Sequence, residues 1–121
     1  MTPLRMEGPY NLDTWTIDAK VTCTSPGNYV LGRQDERGVF LIGFIGRSDS
    51  NVRTTLKSWI GHTKRPLFKF CYAHSARAAF EKECENYHDF NPPDNDDHPH
   101  RPEGSNWTCP RCDIFGIGGG K

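Results

Sequence analysis

With 121 residues, 35% of them apolar and 25% charged, and a mean hydropathy of −0.72, the chain has room for one domain built on a modest core. Its 15 Lys and Arg residues cancel its 15 Asp and Glu residues, so bulk charge names no partner. No apolar run approaches the roughly 18 residues of a membrane helix, and the first residues, MTPLRMEGPY, contain no signal-peptide stretch. The expectation is an intracellular, cytoplasmic protein.

Residues 1 to 12, with Pro3, Gly8 and Pro9, predict surface coil. Trp15 to Thr24 reads as an edge strand or a short helix. Ser25-Pro26-Gly27 is a turn signal that launches a short strand, Asn28 to Gly32, with Tyr29 and Leu31 on one face and Val30 on the other. Gln34 to Gly38 is a charged hairpin loop. Val39 to Ile45 is nearly continuous apolar sequence broken by Gly43, the pattern of a central strand buried on both faces. Ser48 or Asp49 suits a helix N-cap, with Val52, Leu56, Trp59 and Ile60 at helical spacing behind it and Gly61 as the stop.

Leu67 to Tyr72 alternates as a third, half-buried strand. Ser75 caps a second helix, Ala76 to about His88, with Ala79, Phe80, Cys84 and Tyr87 as its inner stripe. The order β-β-α-β-α gives an α+β fold, a small three-stranded sheet flanked by helices. From Asp89 to Trp107 the sequence turns to Asn, Pro, Asp and His, and a polar loop of that length needs an anchor to stay ordered. The last residues, GIGGGK, predict a flexible tail.

Cys109-Pro110-Arg111-Cys112 supplies that anchor. The five cysteines are odd in number and two form a CxxC pair, so metal is a better reading than disulfides. A CxxC knuckle gives half of a tetrahedral zinc site. Cys84 and His88 stand four apart on the second predicted helix, a spacing that can complete it. The expected ligands are Cys84, His88, Cys109 and Cys112, with His98 as the alternative to His88. Four protein ligands make the zinc structural. Cys23 and Cys71 have no partner by spacing and read as buried thiols.

Charge is unevenly placed. Residues 31 to 70 hold eight Lys and Arg against three acids, while residues 81 to 104 hold eight acids against two basic groups. Arg47, Arg53, Lys57, Lys64, Arg65 and Lys69 could form a basic face that meets phosphate. The acidic stretch Asp94 to Asp97 is a surface for a protein partner.

Gly27-Asn28-Tyr29 on a first strand, Phe44-Ile45-Gly46 closing a second, and then a helix, a strand and a glutamate-bearing helix resemble the GIY-YIG nuclease superfamily. The stretch FKFCYAHSARAAFEKECENYHDF followed by NWTCPRC resembles a small-domain branch with a Cys/His tail. On this resemblance residues 1–24 form an N-terminal extension, 25–90 the GIY-YIG-like domain, and 91–121 a polar loop and zinc-binding tail packed on it. The resemblance implies a metal-dependent endonuclease acting on DNA. Its parts are two tyrosines and a helical histidine or tyrosine that move protons, an arginine on the phosphate, and a glutamate that holds Mg²⁺ or Mn²⁺.

Tyr29 matches the first tyrosine and Glu83 the metal carboxylate. The chain departs from the pattern at three positions: Phe44 stands for the second tyrosine, Thr55 for the arginine and Trp59 for the histidine. Arg53 precedes Thr55 by two residues and so lies about 200° around the helix. Arg47, just after Phe44-Ile45-Gly46, is the replacement for the arginine, and His62 lies just past the helix. Loss of one charge-stabilising donor costs on the order of 10² to 10³ in rate. The sequence therefore leaves three readings: an impaired hydrolase, a nucleic-acid-binding module that does not cut, and a protein-interaction or inhibitory module on the same scaffold.

Overall fold

Tyr29 and Leu31 alternate with Val30 along one strand, and Phe68 and Phe70 flank Lys69 on its neighbour. A strand sends successive side chains to opposite faces, so this pairing gives the sheet two separate cores. The computed structural model describes residues 4–115, and the GIGGGK tail lies outside the described residues. The elements run β1 (Glu7–Asn11), α1 (Thr14–Lys20), β2 (Gly27–Gln34), β3 (Phe40–Ser48), α2 (Val52–Ser58), β4 (Leu67–Tyr72) and α3 (Ala76–Phe90). From Gly27 onward the order is the predicted β-β-α-β-α.

The sheet has four strands, not three, in the order β1-β4-β2-β3, and each neighbouring pair is antiparallel. The extra strand is β1, in the segment expected to be coil. Pro9 tolerates this because β1 is an edge strand with an irregular register between Glu7 and Tyr10. Trp15 to Lys20 proves helical, capped by the Asp13 carboxylate, which accepts from the Thr16 amide at 2.7 Å. Ile17 and Val21 from this region join Tyr29, Leu31, Val52, Leu56, Phe68 and Phe70 in the larger core, on the α1/α2 side of the sheet.

The central strand is β2, whose residues Gly27 to Gly32 are all buried. The apolar run predicted to be central is instead the edge strand β3. Nor is the run buried on both faces: Val39 is exposed, Phe40, Leu41, Ile42 and Phe44 are half-buried, and only Gly43 and Ile45 are buried, while its open edge is paired from outside the sheet. The Asp94 amide donates to the Gly43 carbonyl at 2.8 Å, and the Asn95 side-chain amide both accepts from the Ile45 N–H and donates to the Ile45 carbonyl, at 2.9 Å each. One side chain thus pairs with β3 as a fifth strand would, which satisfies an otherwise open edge.

Three local expectations change. The cap of α2 is Asn51, not Ser48 or Asp49, because Asn51 has the extended backbone of an N-cap and accepts from the Arg53 amide. The Ser48 hydroxyl accepts instead from the Asn51 amide at 3.0 Å. The helix ends at Ser58 with Trp59 as its C-cap, so Trp59 and Ile60, expected inside it, lie in the turn that follows, where Gly61 has φ +81°. Ser75 caps α3, and the buried positions of α3 are Ala79, Phe80, Glu83, Cys84 and Asn86, with Tyr87 only partly buried. Cys23 is exposed and Cys71 half-buried, so neither is the buried thiol expected. Among the described residues no helix is long and apolar enough to cross a membrane.

Candidate functional site

Two side chains from opposite faces of the sheet meet beyond the β3 edge. Tyr29 projects from β2 toward α2, and its ring lies across Gly46, its cross-strand partner; a Cβ there would collide with the ring. Glycine is therefore a packing requirement at this position. The Tyr29 hydroxyl accepts a hydrogen bond from the Trp59 indole N–H at 2.7 Å. Phe44 packs on the Trp59 ring at 4.8 Å between centroids. Burial raises the Tyr29 phenol well above its ordinary value near 10.

Arg47 projects from β3 to the α3 side. Its guanidinium donates to Glu83 Oε1 at 2.6 Å, Asp49 Oδ1 at 2.7 Å and the His100 carbonyl at 2.7 Å, and it lies 5.1 Å from the Phe80 ring centroid. Glu83 is 8% exposed. Burial pushes its carboxyl up, against the pull of Arg47. Tyr29, Arg47 and Glu83 line one cavity of about 690 Å³, together with Trp59, His62 and Lys64. Its outer wall is residues 94–100, and Thr55 does not line it.

The cations expected to form one basic face are largely engaged by carboxylates. Arg53 and Lys57 both hold Asp18, and Arg65 holds Asp94 through two bonds of 2.7 and 2.8 Å. Lys69 lies against the Phe40 ring on the face of the sheet away from α2, so the six do not share one face. Lys64 lines the cavity, as does Asp94, the partner of Arg65. The basic and acidic halves of the sequence meet here: Glu83 faces Arg47 and Asp94 faces Arg65. No family description, curated protein or solved structure matches this chain.

A second cluster lies at the end of α3. His88, His98, Cys109 and Cys112 bring one ligand atom each within 4.8 Å of one another, and this group can hold a metal ion. The Cys112 Sγ to His98 Nε2 distance is 3.5 Å. Two ligands at ordinary zinc–sulfur and zinc–nitrogen lengths on a tetrahedron stand about 3.6 Å apart. The Pro99 carbonyl lies 2.9 Å from His98 Nδ1, which turns Nε2 toward the cluster. The Arg111 amide donates to Cys109 Sγ at 3.4 Å, and the Arg111 side chain reaches Asp89.

Both histidines belong to the group, and the expected ligand outside it is Cys84. Helical residues four apart are offset by about 40°, so when Cys84 turns into the apolar layer with Phe80, His88 turns outward past it. Cys84 is fully buried and touches Cys109 as a second thiol. Burial raises its pKa. Trp107 and Phe115 pack on Phe80, each with centroids 5.9 Å from it, which closes the smaller core.

Sequence reasoning did not find Asn95 or the Asp94–Arg65 pair. The one signal was Gly43, which interrupts an apolar run; the Arg65 guanidinium lies where its Cβ would be. A glycine inside a strand marks such a close approach, but not what approaches.

Proposed function

We propose that this chain is a GIY-YIG-like nuclease scaffold, braced by a structural zinc ion, that binds DNA or another nucleic acid and does not cut it. The scaffold reading is supported by the tyrosine strand β2 lying between β3 and β4, and by Tyr29, Arg47 and Glu83 reaching one cavity from three elements. His88, His98, Cys109 and Cys112 fit zinc by donor type, number and spacing. Such an ion would pin the polar loop and the C-terminal segment to α3.

The observation that carries the non-cutting reading is the Arg47–Glu83 pair. The carboxylate that would take Mg²⁺ or Mn²⁺ already faces a guanidinium at 2.6 Å. A dication about 4 Å from that guanidinium meets a repulsion of about 8 kcal/mol at an effective dielectric near 20, which offsets the attraction of Glu83. The residues present therefore do not fit a catalytic dication. Nor is there a ready base. Tyr29 is held neutral by burial and its oxygen is engaged by Trp59, while Phe44 has no hydroxyl to assist it. Lys64 and His62 in the cavity lining, and Arg65 behind its partner Asp94, remain the groups nearest to where a phosphate backbone would pass.

The test incubates the zinc-loaded protein with supercoiled and branched DNA in Mg²⁺ or Mn²⁺ and measures binding across a salt series. The reading expects no cleavage and affinity that falls with salt. Metal-dependent cleavage that disappears in Glu83→Ala would establish the hydrolase instead. Absence of binding even at low salt would leave the protein-interaction reading, with the exposed Asp96 and Asp97 as its acidic surface.

A further inference from the structure

Residues 94–100 do more than cap a strand edge. They cross the mouth of the cavity in an ordered path, fixed at both ends. At one end Asn95 grips Ile45 through two hydrogen bonds, and at the other His98 enters the His/Cys cluster with Pro99 buried behind it. Between and beside these anchors the segment engages the cations of the site. Asp94 takes Arg65 through both carboxylate oxygens, and the His100 carbonyl takes Nη2 of Arg47. Asp96 and Asp97 are exposed and line the same cavity.

A bidentate carboxylate on an arginine has the same donor and acceptor geometry as a phosphate on an arginine. We propose that this strap is an internal competitor for the phosphate backbone: Asp94 occupies Arg65 and faces Lys64, and the His100 carbonyl takes one donor of Arg47, so nucleic acid binds fully only when the strap lifts. This inference rests on the nucleic-acid reading above and specifies how that site is regulated. Lifting the strap would expose two further donors, Arg65 and one face of Arg47, along the β3 edge. The hold has three parts, the Asp94 ion pair, the Asn95 clamp and the His98 ligand, so metal occupancy and pocket access are coupled through a short stretch of chain.

The experiment uses the full zinc-loaded chain and a fluorescent branched DNA, with affinity followed across a salt series in wild type, Asp94→Asn, Asp94→Ala and Asn95→Ala. Amide hydrogen exchange at Ile45 reports strap position independently of any ligand, and Asp94→Asn keeps side-chain volume should the alanine variant fold poorly. Freeing Arg65 should tighten binding and steepen the log–log salt slope by about 0.9, the increment for one more neutralised phosphate. Adding Arg65→Ala to Asp94→Ala should erase that gain. Asn95→Ala should speed exchange at Ile45 and tighten binding in the same direction. Faster exchange at Ile45 with unchanged affinity and slope overturns the competitor role while leaving nucleic-acid binding intact. Failure of every variant and of wild type to bind at low salt overturns both readings together.

Discussion

Removal of the metal should release the C-terminal segment and leave the main sheet folded. Ordering a chain segment costs about 1–2 kcal/mol per residue, so fixing Trp107 to Phe115 alone costs on the order of 10–15 kcal/mol. The apolar return is small: Trp107 and Phe115 pack on Phe80, and burial of two such side chains contributes about 3–6 kcal/mol. A four-ligand zinc site contributes about 10 kcal/mol or more, enough to close the gap. The larger core contains no residue beyond Phe70 apart from partners within the sheet and α1/α2, so it should not depend on the ion. The assay is hydrogen exchange on protein of measured zinc content, before and after chelation. Protection should fall across residues 92–115 and persist at Val30, Leu31 and Phe70. Ordered, fully protected Trp107–Phe115 in metal-free protein would refute the reasoning, as would global unfolding on chelation.

Three further outcomes follow from the geometry. Cys112→Ala should abolish zinc binding, whereas Cys84→Ala should keep full zinc stoichiometry and lose only packing beside Phe80, about 1–2 kcal/mol in chemical denaturation. Gly46→Ala should destabilise the fold by about 1–3 kcal/mol, because the new methyl meets the Tyr29 ring, and should change the fluorescence of Trp59, which holds the Tyr29 hydroxyl. The pH dependence has opposing parts. The Asp94 carboxyl is lowered by its bonds to Arg65, so its contribution is present above its ordinary value near 3.8 and is lost as pH falls through the lowered one. The Glu83 carboxyl is raised by burial, so its contribution is present below its ordinary value and is lost as pH rises through the raised one. Wild type and Asp94→Asn compared by denaturation below pH 5 should differ in the acid limb; identical acid limbs would refute the ion pair's role.

Local chemistry carried most of the fold that the sequence predicts. Ser75 before an amphipathic run, Gly61 after one, and the alternation from Leu67 to Tyr72 each act over a few residues, and each appears where expected. What could not be read locally is long-range. The edge strand β1 forms because β4 offers it a free side, and nothing between Glu7 and Asn11 announces that partner. The run from Val39 to Ile45 looked central because it is apolar on both faces, yet only Gly43 and Ile45 in it are buried, and its edge is satisfied by a strap fifty residues later rather than by a fifth strand. A hydrophobic pattern does not by itself tell a central strand from an edge strand whose backbone is paired by a distant loop.

The same limit applied to the site. Tyr29, Arg47 and Glu83 were each nameable from position, and they do line one cavity; CxxC and the two histidines were nameable as donors, and they converge. Cys84 stands outside the converging group because a four-residue helical spacing permits a shared ligand but does not require one, and an apolar neighbour such as Phe80 competes for the thiol. Most consequential was the pairing of the cations. Formal charge along the sequence counts Arg47, Arg53, Lys57 and Arg65 as available to a polyanion, whereas each faces a carboxylate in the folded chain. On the proposed nucleic-acid reading, affinity depends on which of these pairs opens at modest cost. Arg47 is held by Asp49, Glu83 and a carbonyl with its side chain 11% exposed; Arg65 is held by one carboxylate on a polar strap. On that reading the second opens first, which would place control of the pocket in the strap rather than in the Arg47–Glu83 floor.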